Sequence, residues 1–129
     1  MKIQSVKENH LYAKAYAKGK KAVGRNVVVY VMKDTHAALL RRRNPEKKTI
    51  NRVGLTVTKR IGGAVQRNRC KRIIREAYRL CEKEYPLKHG YILILVARDA
   101  ALTAKMQNVK SDLRTAFAKL ELMEKGGTV

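Results

Sequence analysis

Between Lys59 and Arg79 the chain carries eight basic side chains and one acid, Glu76. Most of them fall in a single helical stretch, Ala64 to Glu84, which Gly62-Gly63 opens and Pro86 closes. On a wheel of 100° per residue, Cys70, Ile73, Ile74, Ala77, Leu80 and Cys81 share one arc of about 120°. That arc must meet a core. Arg67, Lys71, Arg72, Arg75 and Arg79 lie opposite it, with Arg69 near its edge. A solvated helix face of mixed charge would gain from i,i+4 ion pairs, whereas Arg67/Lys71 and Lys71/Arg75 repel. Arg67 and Arg69 also sit in the first turns, where the macrodipole is positive and each cation is unfavourable by about 0.3–1 kcal/mol. A polyanion reverses both penalties, because phosphate binds well at a helix N-terminus lined with Arg. Nucleic-acid binding is therefore weighed above a solvated face and above an anionic membrane. A membrane surface needs large apolar groups beside the cations, and the apolar arc here is already required by the core.

Aromatic side chains offer a second kind of contact. Tyr12 and Tyr16 are i,i+4 neighbours on one helical face. Stacking bases on aromatics beside cations holds single strands without regard to sequence, at ~1–3 kcal/mol per base. The plainer alternative is that these tyrosines only pack their helix on a sheet.

Residues for protein-based catalysis are missing from the pattern. A nuclease site needs clustered carboxylates for two metals or a histidine pair for acid–base chemistry. Glu82 and Glu84 are the only close acids in the helix, and i,i+2 residues do not share a face. His10, His36 and His89 lie in different elements. No catalytic residue and no protein metal ligand is expected. Cys70 and Cys81, with no second pair for zinc, read as reduced, buried, cytosolic thiols.

The rest of the chain must position these groups. Its 129 residues suit one domain, and 45% apolar side chains suit a globular core. A formal charge of +20 strains that core unless a polyanion neutralises it in use. The N-terminus MKIQSVKENH has no apolar stretch, so no secretory signal is expected. The longest apolar run, Tyr91 to Ala97, has seven residues against the ~20 needed to span a bilayer.

Ser5-Val6-Lys7-Glu8 fits a capping box, although the first helix could also begin at Asn9; Gly19 is its expected stop. Asn26 to Met32 and Arg52 to Thr58 read as strands. Residues 34–51, with Arg41, Arg42, Arg43, Lys47 and Lys48, read as a long exposed basic loop. It is either solvated or an extra nucleic-acid contact. Tyr91 to Ala97 reads as a strand buried on both faces. Met106, Val109, Leu113, Ala116, Phe117 and Leu120 mark a closing amphipathic helix. The expected order is α-β-β-α-β-α, an α+β chain. The last residues, Glu124 to Val129, carry no basic tail.

The run Arg52-Val53-Gly54-Leu55-Thr56-Val57-Thr58-Lys59-Arg60-Ile61-Gly62, followed by Ala64-Val65-Gln66-Arg67-Asn68-Arg69-Cys70-Lys71-Arg72-Ile73-Ile74-Arg75-Glu76-Ala77-Tyr78, closely resembles the bacterial ribonuclease P protein subunit. The hallmark of that family is Arg-Asn-Arg after a strand ending in Lys-Lys/Arg-Ile-Gly. The resemblance implies a two-layer α/β sandwich whose strand–helix–strand crossover is left-handed, where the general rule is right-handed. It implies a cytoplasmic ribonucleoprotein that removes the 5′ leader from precursor tRNA. The chemistry would belong to a catalytic RNA, which would also hold most of the Mg²⁺. Lys59, Arg60, Arg67, Asn68, Arg69, Lys71, Arg72 and Arg75 would lie against that RNA. Tyr12, Tyr16 and Tyr30 take the family's aromatic positions for the single-stranded leader. At the two helix positions an aromatic without a hydroxyl is the more usual residue. No obligate protein partner is implied. A structural ribosomal or other RNA-binding protein would carry the same charge and the same helix.

Overall fold

The computed structural model describes residues 4–5, 9–34, 51–85 and 87–123. Its elements, in chain order, are β1 (Gln4–Ser5), α1 (Asn9–Lys18), β2 (Lys20–Val23), β3 (Val27–Lys33), β4 (Arg52–Thr56), α2 (Ala64–Glu84), β5 (Tyr91–Ala97) and α3 (Met106–Lys119). Short 3-10 turns, Lys59–Ile61 and Asp99–Leu102, precede α2 and α3.

The sheet order is β1-β4-β5-β3-β2. β5 is central because its sequence, YILILVA, can be buried on both sides. Leu93, Leu95 and Ala97 enter the main core with Val27, Val29, Val31 and the inner sides of α2 and α3. Ile92 and Ile94 point the other way, into a smaller cluster with Ala15, Leu11 and Tyr12 of α1. Each such buried Ile or Leu contributes about 1.5–3 kcal/mol. Two helices thus cover one face and α1 part of the other, so a partial third layer joins the expected sandwich. β4 and β5 are parallel neighbours linked through α2, while β3 runs antiparallel to β5.

α2 spans the expected residues, and its buried side is Cys70, Ile74, Ala77, Tyr78 and Cys81. Tyr78 meets Phe117 of α3 edge-to-face, with ring centroids 6.1 Å apart. Both cysteines are free and buried. Burial pushes the Cys81 thiol up to about 11 and raises that of Cys70.

Several expectations need correction. Ser5 does not cap a helix; it lies in β1 opposite Val53, and α1 begins at Asn9. β2 was not expected at all, because Lys-Lys-Ala-Val buries only Ala22. It is an edge strand, where exposed lysines suit the free backbone side. Strand β3 ends at Lys33, and β4 ends at Thr56, two residues earlier than expected. Gly19 does stop α1: its N–H donates to the Ala15 carbonyl. An added Cβ there would lie 2.6 Å from the Ala15 oxygen and 2.9 Å from the Val31 oxygen.

The expected basic loop lies outside the described residues at 35–50, and its two ends are buried rather than exposed. Asp34 accepts from Arg52 Nε at 2.7 Å and from Nη2 at 3.0 Å. Asn51 Nδ2 donates to the Lys88 carbonyl, and Asn51 Oδ1 accepts from the Tyr91 N–H, both at 2.9 Å. The end of β3 and the start of β4 are thereby fixed to the turn before β5. Among the described residues no helix is long and apolar enough to cross a membrane.

Candidate nucleic-acid interface

α2 begins without a side-chain cap and without an acid in its first turn. Gly62, at φ 156°, swings the chain from the 3-10 turn toward Gly63, the N-cap of the helix. The outer side then presents its cations in sequence. Lys59, Arg60, Asn68, Arg72 and Arg75 are exposed, while Arg67, Arg69 and Lys71 are half-buried. Among the described residues, no carboxylate pairs with Lys59, Arg67, Lys71, Arg72 or Arg75. The Nε of Arg67 is buried with no hydrogen-bond partner among those residues.

Three cations nearby are committed elsewhere. Arg60 reaches Asp99 at 3.4 Å, with both side chains largely exposed. Arg79 closes a two-bond pair on Glu76, at 2.5 and 3.2 Å, which holds the Glu76 carboxyl below the usual range through its hydrogen bond to Arg79. Arg69 donates from Nη1 to the Leu102 carbonyl at 2.7 Å and from Nη2 to that of Ala104 at 3.3 Å. Arg69 therefore differs from Arg67, Lys71, Arg72 and Arg75, with which the family resemblance groups it.

The tyrosines gather on the opposite sheet face. Tyr30 of β3 is in register with Ile94 of β5, and Ile94 with Gly54 of β4, so these three share one row. Tyr12 lies over that row at Gly54, where an added Cβ would fall 2.5 Å from its hydroxyl and 2.7 Å from Cζ. Burial raises the Tyr12 phenol, with Tyr16 adding to the shift. Tyr16 is 42% exposed. Its hydroxyl shares a 2.9 Å hydrogen bond with Thr56 Oγ1, and its ring stands at 76° to that of Tyr30, centroids 5.0 Å apart. Lys21 of β2, exposed, is in register with Tyr30. Tyr12 and Tyr30 also pack against the smaller core cluster, so packing and an exposed aromatic edge coexist here.

The structure thus brings Tyr12, Tyr16 and Tyr30 together, and separately lines up the cations of α2 and its preceding turn. The two groups are linked along the chain at the end of β4, where Thr56, hydrogen-bonded to Tyr16, lies three residues before Lys59. Gly54 and Thr56 were not singled out from sequence. A glycine inside a strand pattern is the signal that marks close approach; Thr56 carries no such signal. Arg41, Arg42, Arg43, Lys47 and Lys48 lie outside the described residues. Among those described, no group of three or more His, Cys, Asp or Glu is placed to hold a metal ion.

Residues 1–121 match the family Ribonuclease P. The chain belongs to the ribonuclease P protein family. The ribonuclease P protein component of Clostridium acetobutylicum is 32% identical over 123 residues, covering 95% of this chain and 93% of the relative. That of Thermoanaerobacter sp. is 32% identical over 121 residues, covering 94% and 92%. Among solved structures, the ribonuclease P protein of Staphylococcus aureus superposes with a TM-score of 0.73 at 24% identity, covering 95% of this chain and all 100% of the other. The Thermotoga maritima protein gives 0.66 at 19% identity, covering 87% and 93%. At these identities the two structures establish the shared fold. The same α+β arrangement is therefore the ribonuclease P protein fold.

Proposed function

We propose that this chain is the protein subunit of a cytoplasmic ribonuclease P ribonucleoprotein, which removes the 5′ leader from precursor tRNA, and that the RNA subunit carries the chemistry. The outer side of α2 and the turn before it, with Lys59, Arg60, Arg67, Asn68, Lys71, Arg72 and Arg75, lie against the RNA subunit. Tyr12, Tyr16 and Tyr30 hold the single-stranded leader on the other sheet face. The β4–α2–β5 crossover follows the family in being left-handed.

The observation that carries this reading is that α2 holds no acid from Ala64 to Arg75, and that five cations of this stretch and the turn before it lack a carboxylate partner among the described residues. Such a surface is electrostatically unfavourable alone and favourable against phosphates, whose counterions it releases. The exposed Tyr16 ring against Tyr30, whose register partner on β2 is the exposed Lys21, supports a stacking contact for unpaired bases. In this arrangement the protein raises substrate affinity and screens charge between two RNAs.

Reconstitution tests it. A bacterial ribonuclease P RNA and precursor tRNA, at low Mg²⁺, are assayed with and without the protein. Stimulated cleavage and tighter binding of precursor than of mature tRNA are expected. Binding to the RNA with neither effect would leave a structural RNA-binding role in its place.

A further inference from the structure

We propose that Arg69 is a positioning residue that sets the basic side of α2, and that it is not one of the phosphate contacts. The proposal rests on the reading of that side as the surface for the RNA subunit. Arg67 and Arg69 are two residues apart on a helix, so their side chains leave it about 200° apart. On the wheel they flank the outward side from opposite edges, each about 20° from the apolar arc, so it is their surroundings that separate them.

Their surroundings differ accordingly. Arg67 has a buried Nε with no hydrogen-bond partner among the described residues. Arg69 spreads its guanidinium over two carbonyls, Leu102 at 2.7 Å and Ala104 at 3.3 Å, more than thirty residues further along the chain. Both carbonyls lie in the connection between β5 and α3, ahead of α3 itself. The same connection meets α2 again where Cys70 Sγ approaches the Ala101 carbonyl at 3.6 Å. It meets the turn before α2 through the Arg60–Asp99 pair. Residues 99–104 therefore form a strap across the start of α2, and Arg69 provides its two shortest polar links to that helix.

The planar fork of Arg is suited to bridging two acceptors at once, which a lysine ammonium on a flexible stem does poorly. With Arg69 so engaged, the first turns of α2 are fixed against the strap. Arg67, Lys71 and Arg75, spaced four apart, then project from one side of a helix of set orientation. Arg60 reaches the same strap through its exposed pair with Asp99. In the Arg-Asn-Arg motif of this chain, the first arginine would address the RNA and the second would hold the helix that presents it.

Salt dependence separates the two roles, because each lost phosphate contact lowers the slope of log K against log salt by about 0.7–0.9. The variants Arg69→Gln and Arg69→Lys each keep a single donor nitrogen where Arg69 uses two, and Arg67→Ala serves as the phosphate-contact control. Affinity for the RNA subunit is measured over a salt series, together with hydrogen exchange of the free proteins. Both Arg69 variants are expected to bind about three- to tenfold more weakly at every salt concentration, in line with the net worth of one ordinary hydrogen bond, with the wild-type slope. Exchange at residues 99–104 and in the first turns of α2 should rise in both. Arg67→Ala should lower the slope and leave exchange unchanged.

The proposal is overturned if Arg69→Gln lowers the slope as Arg67→Ala does while Arg69→Lys binds like wild type, since the charge alone would then matter. It is also overturned if neither variant changes affinity or exchange. Failure of the underlying surface assignment looks different: wild type and Arg67→Ala would then show the same slope, and exchange would still report whether Arg69 pins the strap.

Discussion

The outer side of α2 and the tyrosine patch beside α1 are both proposed RNA contacts, yet they are built on opposite principles. On α2 the cations stand in a row, mostly without carboxylate partners among the described residues, and one arginine behind them is tied to backbone carbonyls. Around α1 each aromatic is already engaged: Tyr16 with Thr56 and Tyr30, and Tyr12 with the smaller core cluster. The first surface is strained electrostatically until a polyanion arrives. The second is preorganised and nearly neutral in cost when empty. A charged surface should therefore control affinity through salt, and an aromatic one should control selectivity with little salt dependence.

The largest expected effect comes from removing two uncommitted cations together. Arg67→Ala with Lys71→Ala should cost about 3–6 kcal/mol of RNA-subunit affinity at low salt, taking ~1.5–3 kcal/mol for each charge-assisted contact. Filter binding across a salt series would show it, and leader binding by the free protein should hardly change. Loss of both together would merge the two surfaces into one.

Gly54→Val attacks the other region from beneath. Its Cβ would sit within 3 Å of the Tyr12 hydroxyl and of Ile94 Cδ1, so the ring must shift. Overpacking of this kind costs about 1–3 kcal/mol of stability. Thermal melts should drop, and leader affinity should fall more than RNA-subunit affinity at temperatures where the protein remains folded. An unchanged melt would mean that Tyr12 does not need the space.

A smaller loss, about 0.5–1.5 kcal/mol at most, is expected for Tyr16→Phe, which keeps the ring and removes the bond to Thr56. Leader binding should decline slightly or hold. A loss as large as that of Tyr16→Ala would make the hydroxyl, and not the ring, the working group.

The inner side of α2 supplies an effect confined to alkaline pH. The Cys81 thiol titrates near 11 in the folded protein against 9.0 for an ordinary thiol. Below pH 9 both folded and unfolded chains keep the proton. Between about pH 9 and pH 11 the unfolded chain loses it first, so stability falls as pH rises. Urea midpoints of wild type should therefore decline more steeply over this window than those of Cys81→Ser. Parallel curves would show that burial does not hold this thiol neutral.

The same contrast decides how much the sequence revealed. α2, β5 and α3 were legible because their burial follows runs or helical spacing: YILILVA can only be a central strand, and Cys70 to Cys81 can only face a core. β2 was not, since two of its four residues are exposed lysines and a single Ala is buried. Ser5 looked like a helix cap because a capping box is a local pattern, whereas its pairing with Val53 is long-range. Long-range polar bonds are invisible for the same reason. The Arg52–Asp34 pair bridges 18 residues, Tyr16–Thr56 bridges 40, and Arg69 reaches 33 and 35 residues away. The cationic surface could thus be read from composition and spacing, while the state of each cation on it could not. The tyrosine patch needed the family resemblance to bring Tyr30 beside Tyr12 and Tyr16, because nothing local links a strand residue to a helix before it.

The division of labour between the two surfaces is tested most directly by one ratio. The reconstituted particle is assayed for its affinity for precursor tRNA relative to mature tRNA, with wild-type protein and with Tyr16→Ala. Tyr16→Ala should lower precursor affinity by about 1–3 kcal/mol per base unstacked and leave mature tRNA binding nearly as it was, so the ratio falls toward one. Equal losses for both tRNAs, with the ratio unchanged, would contradict a leader contact at the tyrosines.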